Sequence, residues 1–334
     1  MEANTFQAIA ALQPTLVLIA AACLDYAVGD PWHWPHPVQG MGWFIQRGVH
    51  ALKPWAAYPR LGRGLGCLLA AGTIGGSVMI CVLLLWLAQQ LGGWSLATLG
   101  EIAILASCFA GRSLRQAADT VLAPLSKQDL TGARQSLAAY VGRDTERLSE
   151  QEILRATVET VSENATDGVM APLFYAALGG LLGLGLAPLA IGYKAASTLD
   201  SMVGYRTQPY TYLGWASARL EDGLTWLPCR LLVLTVGLLS GRPARVGRLC
   251  RRDAIADPSP NAGWSECAYA AALGIQLGGE NSYRGRRVHK PLLGDPDCPI
   301  TAAKVGQALA YNRRIFLLWL AIGGGALAAR AWPG

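Results

Sequence analysis

Glu159, Glu163 and Asp167 stand four residues apart in "TVETVSENATDGVMAPLFYAAL", residues 157–178. On a helix that spacing lines three carboxylates along one face. Like charges so placed repel by about 0.2–0.5 kcal/mol per pair, and the ridge runs straight into an apolar stretch. Two readings fit. One is a solvated acidic face steadied by Arg155, one turn before Glu159. The other is a site for a hard cation: oxygen ligands on successive turns suit Mg²⁺, which keeps several waters and takes one or two carboxylates plus a substrate phosphate. Arg143, Asp144 and Thr145 lead into this helix, and Ser149 with Glu152 fits a capping box. Asn164 lies beside the ridge, and Gly168 marks a helix end or bend.

Three more polar clusters interrupt the chain. "LDYAVGDPWHWPHPVQGMG" carries Asp25, Asp30, His33 and His36. It reads either as a metal-binding set or as a Pro-rich turn whose side chains cap local backbone. "YKAASTLDSMVGY" with "ARLEDGL" puts Lys194, Thr198, Asp200, Ser201, Arg219 and Asp222 at the end of a membrane-like segment, where charge is a functional hypothesis by default. Snorkelling accounts for Lys194 alone but not for the group. "CRRDAIADPSPNAGWSECAYAAALGIQLGGENSYRGRR" carries Arg252, Asp253, Ser259, Asn261, Arg284, Arg286 and Arg287. Ser259 or Asn261 would cap a helix starting near Ala262 and aim N–H groups at an anion, and the arginines suit phosphate. A basic surface obeying the positive-inside rule is the alternative.

The elements that must position these groups are those of a membrane protein. The 334 residues are 52% hydrophobic and only 15% charged, where about a quarter is usual for soluble domains. Membrane helices are predicted over 8–28, 65–91, 94–110 and 315–332, the second and third joined by the uncharged hairpin "GGWS". The segments 171–192 and 224–240 are apolar but interrupted, by "GGLLGLGLAP" and by Pro228 and Arg230. They either cross or turn back, and the re-entrant form is favoured for 171–192, because broken helices at membrane depth need protein or a cavity around them. The expectation is a single all-α integral membrane domain over 1–334 with helical cytoplasmic loops. Residues 241–314 hold twelve Lys and Arg against six acids, which places them inside. Eight cysteines without a CxxC pair read as reduced thiols. There is no P-loop, G-x-S-x-G or HExxH motif.

Together the four stretches resemble the CobD/CbiB family, the adenosylcobinamide-phosphate synthases of cobalamin biosynthesis. The matching pieces are "GDPWHWPHPVQGMG", "GRDTERLSEQEILRATVETVSENATDGVMAPLFY", "YKAASTLDSMVGY" with "ARLEDGLTWLPCRL", and "RRDAIADPSPNAGWSECAYAAALGIQLGG", in that order over residues 24–294. "LED" stands where the family pattern has paired aspartates, and Leu213 where it has Phe; both changes keep charge or bulk. The resemblance implies an integral enzyme of the inner membrane with its active site on the cytoplasmic face. It would join the carboxylate of adenosylcobyric acid to aminopropanol or its phosphate, using ATP and Mg²⁺. No nucleic acid is implied, and contact with later membrane enzymes of cobalamin assembly is expected.

Under that reading the carboxylate becomes an acyl phosphate before the amine attacks, a step that rests on positioning and charge stabilisation. Glu159, Glu163 and Asp167 would hold Mg²⁺. Lys194 and Arg143 would face phosphate, and Asp144 or Asp200 would accept the amine's proton. Trp32, Trp34, Trp215 and Trp264 are candidates for the corrin face. A transporter, or a sensor of related architecture without ligase activity, is the rival class.

Overall fold

The computed structural model describes residues 2–30 and 36–331. The helices are α1 (Glu2–Ala27), α2 (Pro37–Leu52), α3 (Pro59–Ala106), α4 (Gly111–Ser126), α5 (Leu130–Ala138) and α6 (Glu150–Asn164). They continue with α7 (Ala171–Leu182), α8 (Leu186–Val203), α9 (Tyr210–Leu213), α10 (Trp215–Leu239), α11 (Pro243–Asp253), α12 (Ala262–Leu273) and α13 (Ala302–Ala331). Strands β1 (Leu277–Tyr283) and β2 (Arg286–Leu293) lie between α12 and α13. Among the described residues three helical stretches are long and apolar enough to cross a membrane: Pro59–Ser126, Glu150–Leu182 and Trp215–Leu239. The fold is that of an all-α polytopic membrane protein. The described residues pack as two compact units.

The first unit takes in Met1–Ala110, Ala171–Leu224 and Leu318–Gly334. Its α3 is a hairpin of two arms, because Gly92 and Gly93 leave helical geometry, the latter at φ 65°. The break falls in the predicted "GGWS", and Leu85 of one arm reaches Gly100 of the other. Apolar side chains such as Leu68, Met79, Ile80 and Leu91 point outward along the arms, as lipid-facing surface does. Glu101 is explained by a neighbour: its carboxylate accepts from the Leu186 and Ala187 N–H groups at 3.1 and 3.4 Å. It thus serves orphan donors at the start of α8 and complements that helix's positive end. Between α7 and α8 the chain reverses at 183–185, within the predicted Gly-rich break. A Cβ on Gly179 would lie 2.2 Å from the Gly185 carbonyl oxygen, so only glycine permits this approach.

The second unit takes in Gly111–Met170 and Thr225–Leu317. Val121, Ala133, Leu137, Ile153 and Ala156 form one core where α4, α5 and α6 meet. Ser149 caps α6 in the reciprocal box with Glu152 that the sequence announces. At Gly168 the helix does not end. It loosens into a π turn over Ala165–Met170, a device that often marks functional positions. Likewise α10 runs through Pro228 and Arg230 unbroken, correcting the expectation of an interruption there. The antiparallel hairpin β1–β2 adds to the helical expectation. It closes on Arg284 and Gly285 at φ 52° and 75°, both left-handed, as a two-residue hairpin turn requires. All eight cysteines are free thiols.

Candidate active site

Within the second unit, the acidic ridge is taken apart by its neighbours. Glu159 is 2% exposed. One of its oxygens pairs with the Arg143 guanidinium, and the other accepts from the Gly278 N–H at 2.9 Å. Arg155 turns away from it to the carbonyls of Gly278 and Glu280. This corrects the reading of Glu159 as an exposed charge paired with Arg155; its place as a metal ligand stands as a proposal. Both oxygens are already bonded, so it holds Arg143 and β1 in place. Arg143, expected at phosphate, also donates to the Asn281 side chain at 2.9 Å and is buried.

Asp144 has a similar fate. Its carboxylate accepts from the Ser282 hydroxyl at 2.6 Å and from the Arg284 and Gly285 N–H groups at 2.8 Å each. The Ser282 bond first, then those of Gly285 and Arg284, hold the carboxyl below the usual aspartate range. A carboxylate so satisfied is a weak proton acceptor. The geometry gives Asp144 the task of clamping the hairpin turn, in place of the expected base.

The residues missed by sequence reasoning are Glu266 and Lys290. Glu266 lies within α12, where every residue from Ser265 to Leu273 is buried. Ser265 donates to the Ser162 carbonyl at 2.8 Å, which ties α12 to α6. Neither Glu266 oxygen has a hydrogen-bond partner. Lys290 of β2 places Nζ 3.6 Å from its Oε1, the Lys side chain 29% exposed and the Glu 1%. Burial, opposed by Lys290 and reinforced by Glu163, Glu159 and Asp257, pushes the Glu266 carboxyl well up. Glu163 is solvent-exposed. Glu266 is thus buried beside Lys290, and Glu163 is exposed one residue beyond the Ser162 carbonyl that Ser265 reaches. The available signal was one acid in the apolar run "WSECAYAAAL".

The other second-unit candidates are largely occupied. Asn164 donates to the Thr160 carbonyl of its own helix at 2.9 Å, and Asp167 lies half-buried in the π turn. Arg252 pairs with Asp253 and with Asp295, while Asp253 also accepts from the Gly294 N–H at 2.9 Å. These bonds pin α11 to the end of β2. The Ser259 hydroxyl accepts from the Ala262 N–H at 3.1 Å, so α12 begins where expected. Asn261 is buried, and its side chain accepts from Arg230 at 3.4 Å. Arg230 lies between two indoles, 4.2 Å from the Trp264 ring centre and 5.4 Å from that of Trp226. Arg284, Arg286 and Arg287 are exposed around the hairpin tip.

In the first unit, Lys194, Thr198, Asp200 and Ser201 follow one another along the last turns of α8. Thr198 and Ser201 donate to the carbonyls of Lys194 and Thr198 at 2.7 and 3.0 Å. Arg219 is exposed and Asp222 half-buried on α10. His36 caps α2 through Nδ1, and its Nε2 lies 3.2 Å from Asp30, which matches the capping alternative. Trp32, His33 and Trp34 lie outside the described residues.

Among the described residues no three His, Cys, Asp or Glu side chains converge to hold a metal. The unsatisfied Glu266 oxygens are the donors here that would suit Mg²⁺, with water and phosphate completing its shell.

Fold and site together define an all-α membrane protein whose second unit buries a carboxylate, Glu266, beside Lys290. The chain belongs to the CobD/CbiB family: the family model described as CobD/Cbib protein matches residues 18–312. It is 51% identical to "Cobalamin biosynthesis protein CobD" of Synechocystis sp. over 97% of this chain and 93% of that one. It is 42% identical to "Cobalamin biosynthesis protein CbiB" of Salmonella typhimurium over 89% and 91%. It is 39% identical to the CobD protein of Halalkalibacterium halodurans over 93% and 96%. No solved structure matches.

Proposed function

We propose that this chain acts in cobalamin biosynthesis as an ATP- and Mg²⁺-dependent ligase, forming the amide between adenosylcobyric acid and aminopropanol phosphate or aminopropanol. The observation that supports the chemistry lies in the second unit, where the buried Glu266 has no hydrogen-bonded partner and stands 3.6 Å from Lys290. Such a site suits a metal-bound polyphosphate, since the carboxylate favours the metal and Lys290 a phosphate oxygen. When bound there, Mg²⁺ would supply charge neutralisation to the phosphates. The substrate carboxylate oxygen attacks the γ-phosphorus and ADP leaves. The amine nitrogen then attacks the acyl carbon, inorganic phosphate leaves, and a base takes the ammonium proton. Lys194 and Asp200 are retained as catalytic proposals, and Thr198, Ser201, Arg219 and Asp222 as substrate-binding ones, each open to substitution. The setting proposed is the inner membrane, with the basic segment 241–314 on the cytoplasmic side.

The test is direct. Purified protein in detergent receives adenosylcobyric acid, ATP and Mg²⁺ with either amino alcohol, and amide and ADP are followed by chromatography. Equal yields of both products, dependent on Mg²⁺, support the reading. Corrinoid binding without ADP release would instead favour a transporter or sensor.

A further inference from the structure

A cavity of about 330 Å³ lies between the two arms of α3 and α1, wholly within the first unit and open at the surface. Trp86 and Gln89 of one arm, Trp94, Thr98 and Glu101 of the other, and Gln13 of α1 line it. Its volume is in the range of small-ligand sites, about 300–1,000 Å³. Two of its polar groups are incompletely matched. The Thr98 hydroxyl is buried without a hydrogen-bond partner, whereas Thr73 of the same helix donates to the Leu69 carbonyl at 2.8 Å, as helical threonines commonly do. Glu101 gives Oε1 to the Leu186 and Ala187 N–H groups, which leaves Oε2 unused by either. The positive end of α8 amounts to about half a charge, so part of the carboxylate's charge is unanswered. Such a group in a membrane helix calls for a partner.

The lining says which partner fits. It holds one carboxylate, two indoles, two amides and a hydroxyl, and neither Lys nor Arg. An anion finds no countercharge there, and a metal ion finds a single charged ligand. An organic ammonium is suited on both counts, because indole faces attract it and the carboxylate neutralises it. A primary ammonium fits better than a quaternary one, since its three N–H donors can use Glu101 and the amide carbonyls. Trp86 and Trp94 are 55% and 49% exposed, near the turn at Gly92–Gly93. Tryptophans concentrate at headgroup level in a bilayer, and Glu101 lies roughly 12 Å along the arm from Gly93.

We propose that this cavity binds a primary ammonium, with Glu101 as its countercharge and Trp86 and Trp94 as its aromatic walls, and that an aminophospholipid headgroup presents it from the bilayer. The Thr98 hydroxyl and the Gln13 and Gln89 amides then serve the headgroup oxygens. Nothing in this assignment rests on the ligase reading.

The test is native mass spectrometry of the full chain in detergent, offered equal amounts of phosphatidylethanolamine, phosphatidylcholine and phosphatidylglycerol, with soluble ethanolamine phosphate in a separate arm. The wild type is expected to retain phosphatidylethanolamine about tenfold over the other two, the worth of one charge-assisted hydrogen bond. Glu101→Gln keeps an acceptor oxygen for the Leu186 and Ala187 N–H groups but removes the charge, and should abolish the preference. Trp86→Leu, at an exposed position away from that cap, should reduce it about threefold and keeps the test decisive if the first variant misfolds. Saturable binding of ethanolamine phosphate without lipid preference would keep the ammonium site and overturn its lipid source. Equal retention of all three lipids with no ethanolamine phosphate bound, or an undiminished preference in both variants, would overturn the site itself.

Discussion

Ser265 donates a 2.8 Å hydrogen bond to the carbonyl of Ser162, and the residue after each serine is a glutamate. That contact fixes how α12 meets α6, while Asn312 of α13 reaches the Val161 carbonyl of α6 at 3.2 Å. Ser265→Ala should lower stability by about 1 kcal/mol, the net worth of one buried hydrogen bond. Ser265→Leu should separate the helices and abolish turnover. Thermal unfolding in detergent beside the amide assay measures both, and full activity in the Leu variant would show that the contact does not set the site.

Glu163→Gln should lower turnover by at least a hundredfold while leaving the unfolding temperature within about 2 °C of the wild type. An exposed charge contributes little to folding, so substitution there usually costs under 0.5 kcal/mol. Turnover near the wild-type level at unchanged Mg²⁺ dependence would remove Glu163 from the mechanism.

Arg143 and Glu159 should behave in the opposite way. Their side chains are 6% and 2% exposed, so removing one leaves a buried charge without its partner, at a cost of about 3–5 kcal/mol. Arg143→Met or Glu159→Gln is expected to reduce the amount of folded protein recovered from membranes. The double substitution to Met and Leu should recover part of it. Stable single variants with only a metal-binding defect would return Glu159 to the metal.

Asp144→Ala should free the hairpin tip, and trypsin should then cut after Arg284, Arg286 or Arg287 several-fold faster. The same clamp has a pH dependence of definite sign. Its folded pKa is lowered by Ser282, Gly285 and Arg284, so its stabilisation is complete above the unfolded aspartate value of about 3.9. It is lost as pH falls through the folded value. Cleavage by an acid-active protease at the tip should therefore become faster below about pH 4 in the wild type. In Asp144→Asn it should not change in that window.

Replacing Arg284, Arg286 and Arg287 together with Gln is expected to raise KM for an anionic substrate at least tenfold, about 1.4 kcal/mol, if they meet phosphate. They are exposed and outside the core, so folding should be unaffected. An unchanged KM for ATP and for aminopropanol phosphate would leave them a topological role only.

Much of this protein is legible in the linear chain because its signals are local. Apolar length marks the helices, Ser149 and Glu152 announce their capping box, and Gly92–Gly93 and Gly183–Gly185 mark reversals that need left-handed or close-packed backbone. The ordered motifs reveal the family for the same reason. Partner choice is different. Whether Glu159 meets Arg155 four residues away or Arg143 sixteen away depends on where β1 delivers Gly278, and no periodicity records that. Asp144 reads as a free acid until the hairpin turn, about 140 residues later, brings it three donors. Glu266 reads as a minor impurity in an apolar helix until α6 and β2 close around it. Spacing along a chain decides which groups share a helix face; only packing decides which of them keep a charge unanswered, because a carboxylate's chemistry is set by the donors and dielectric around it, not by its neighbours in sequence.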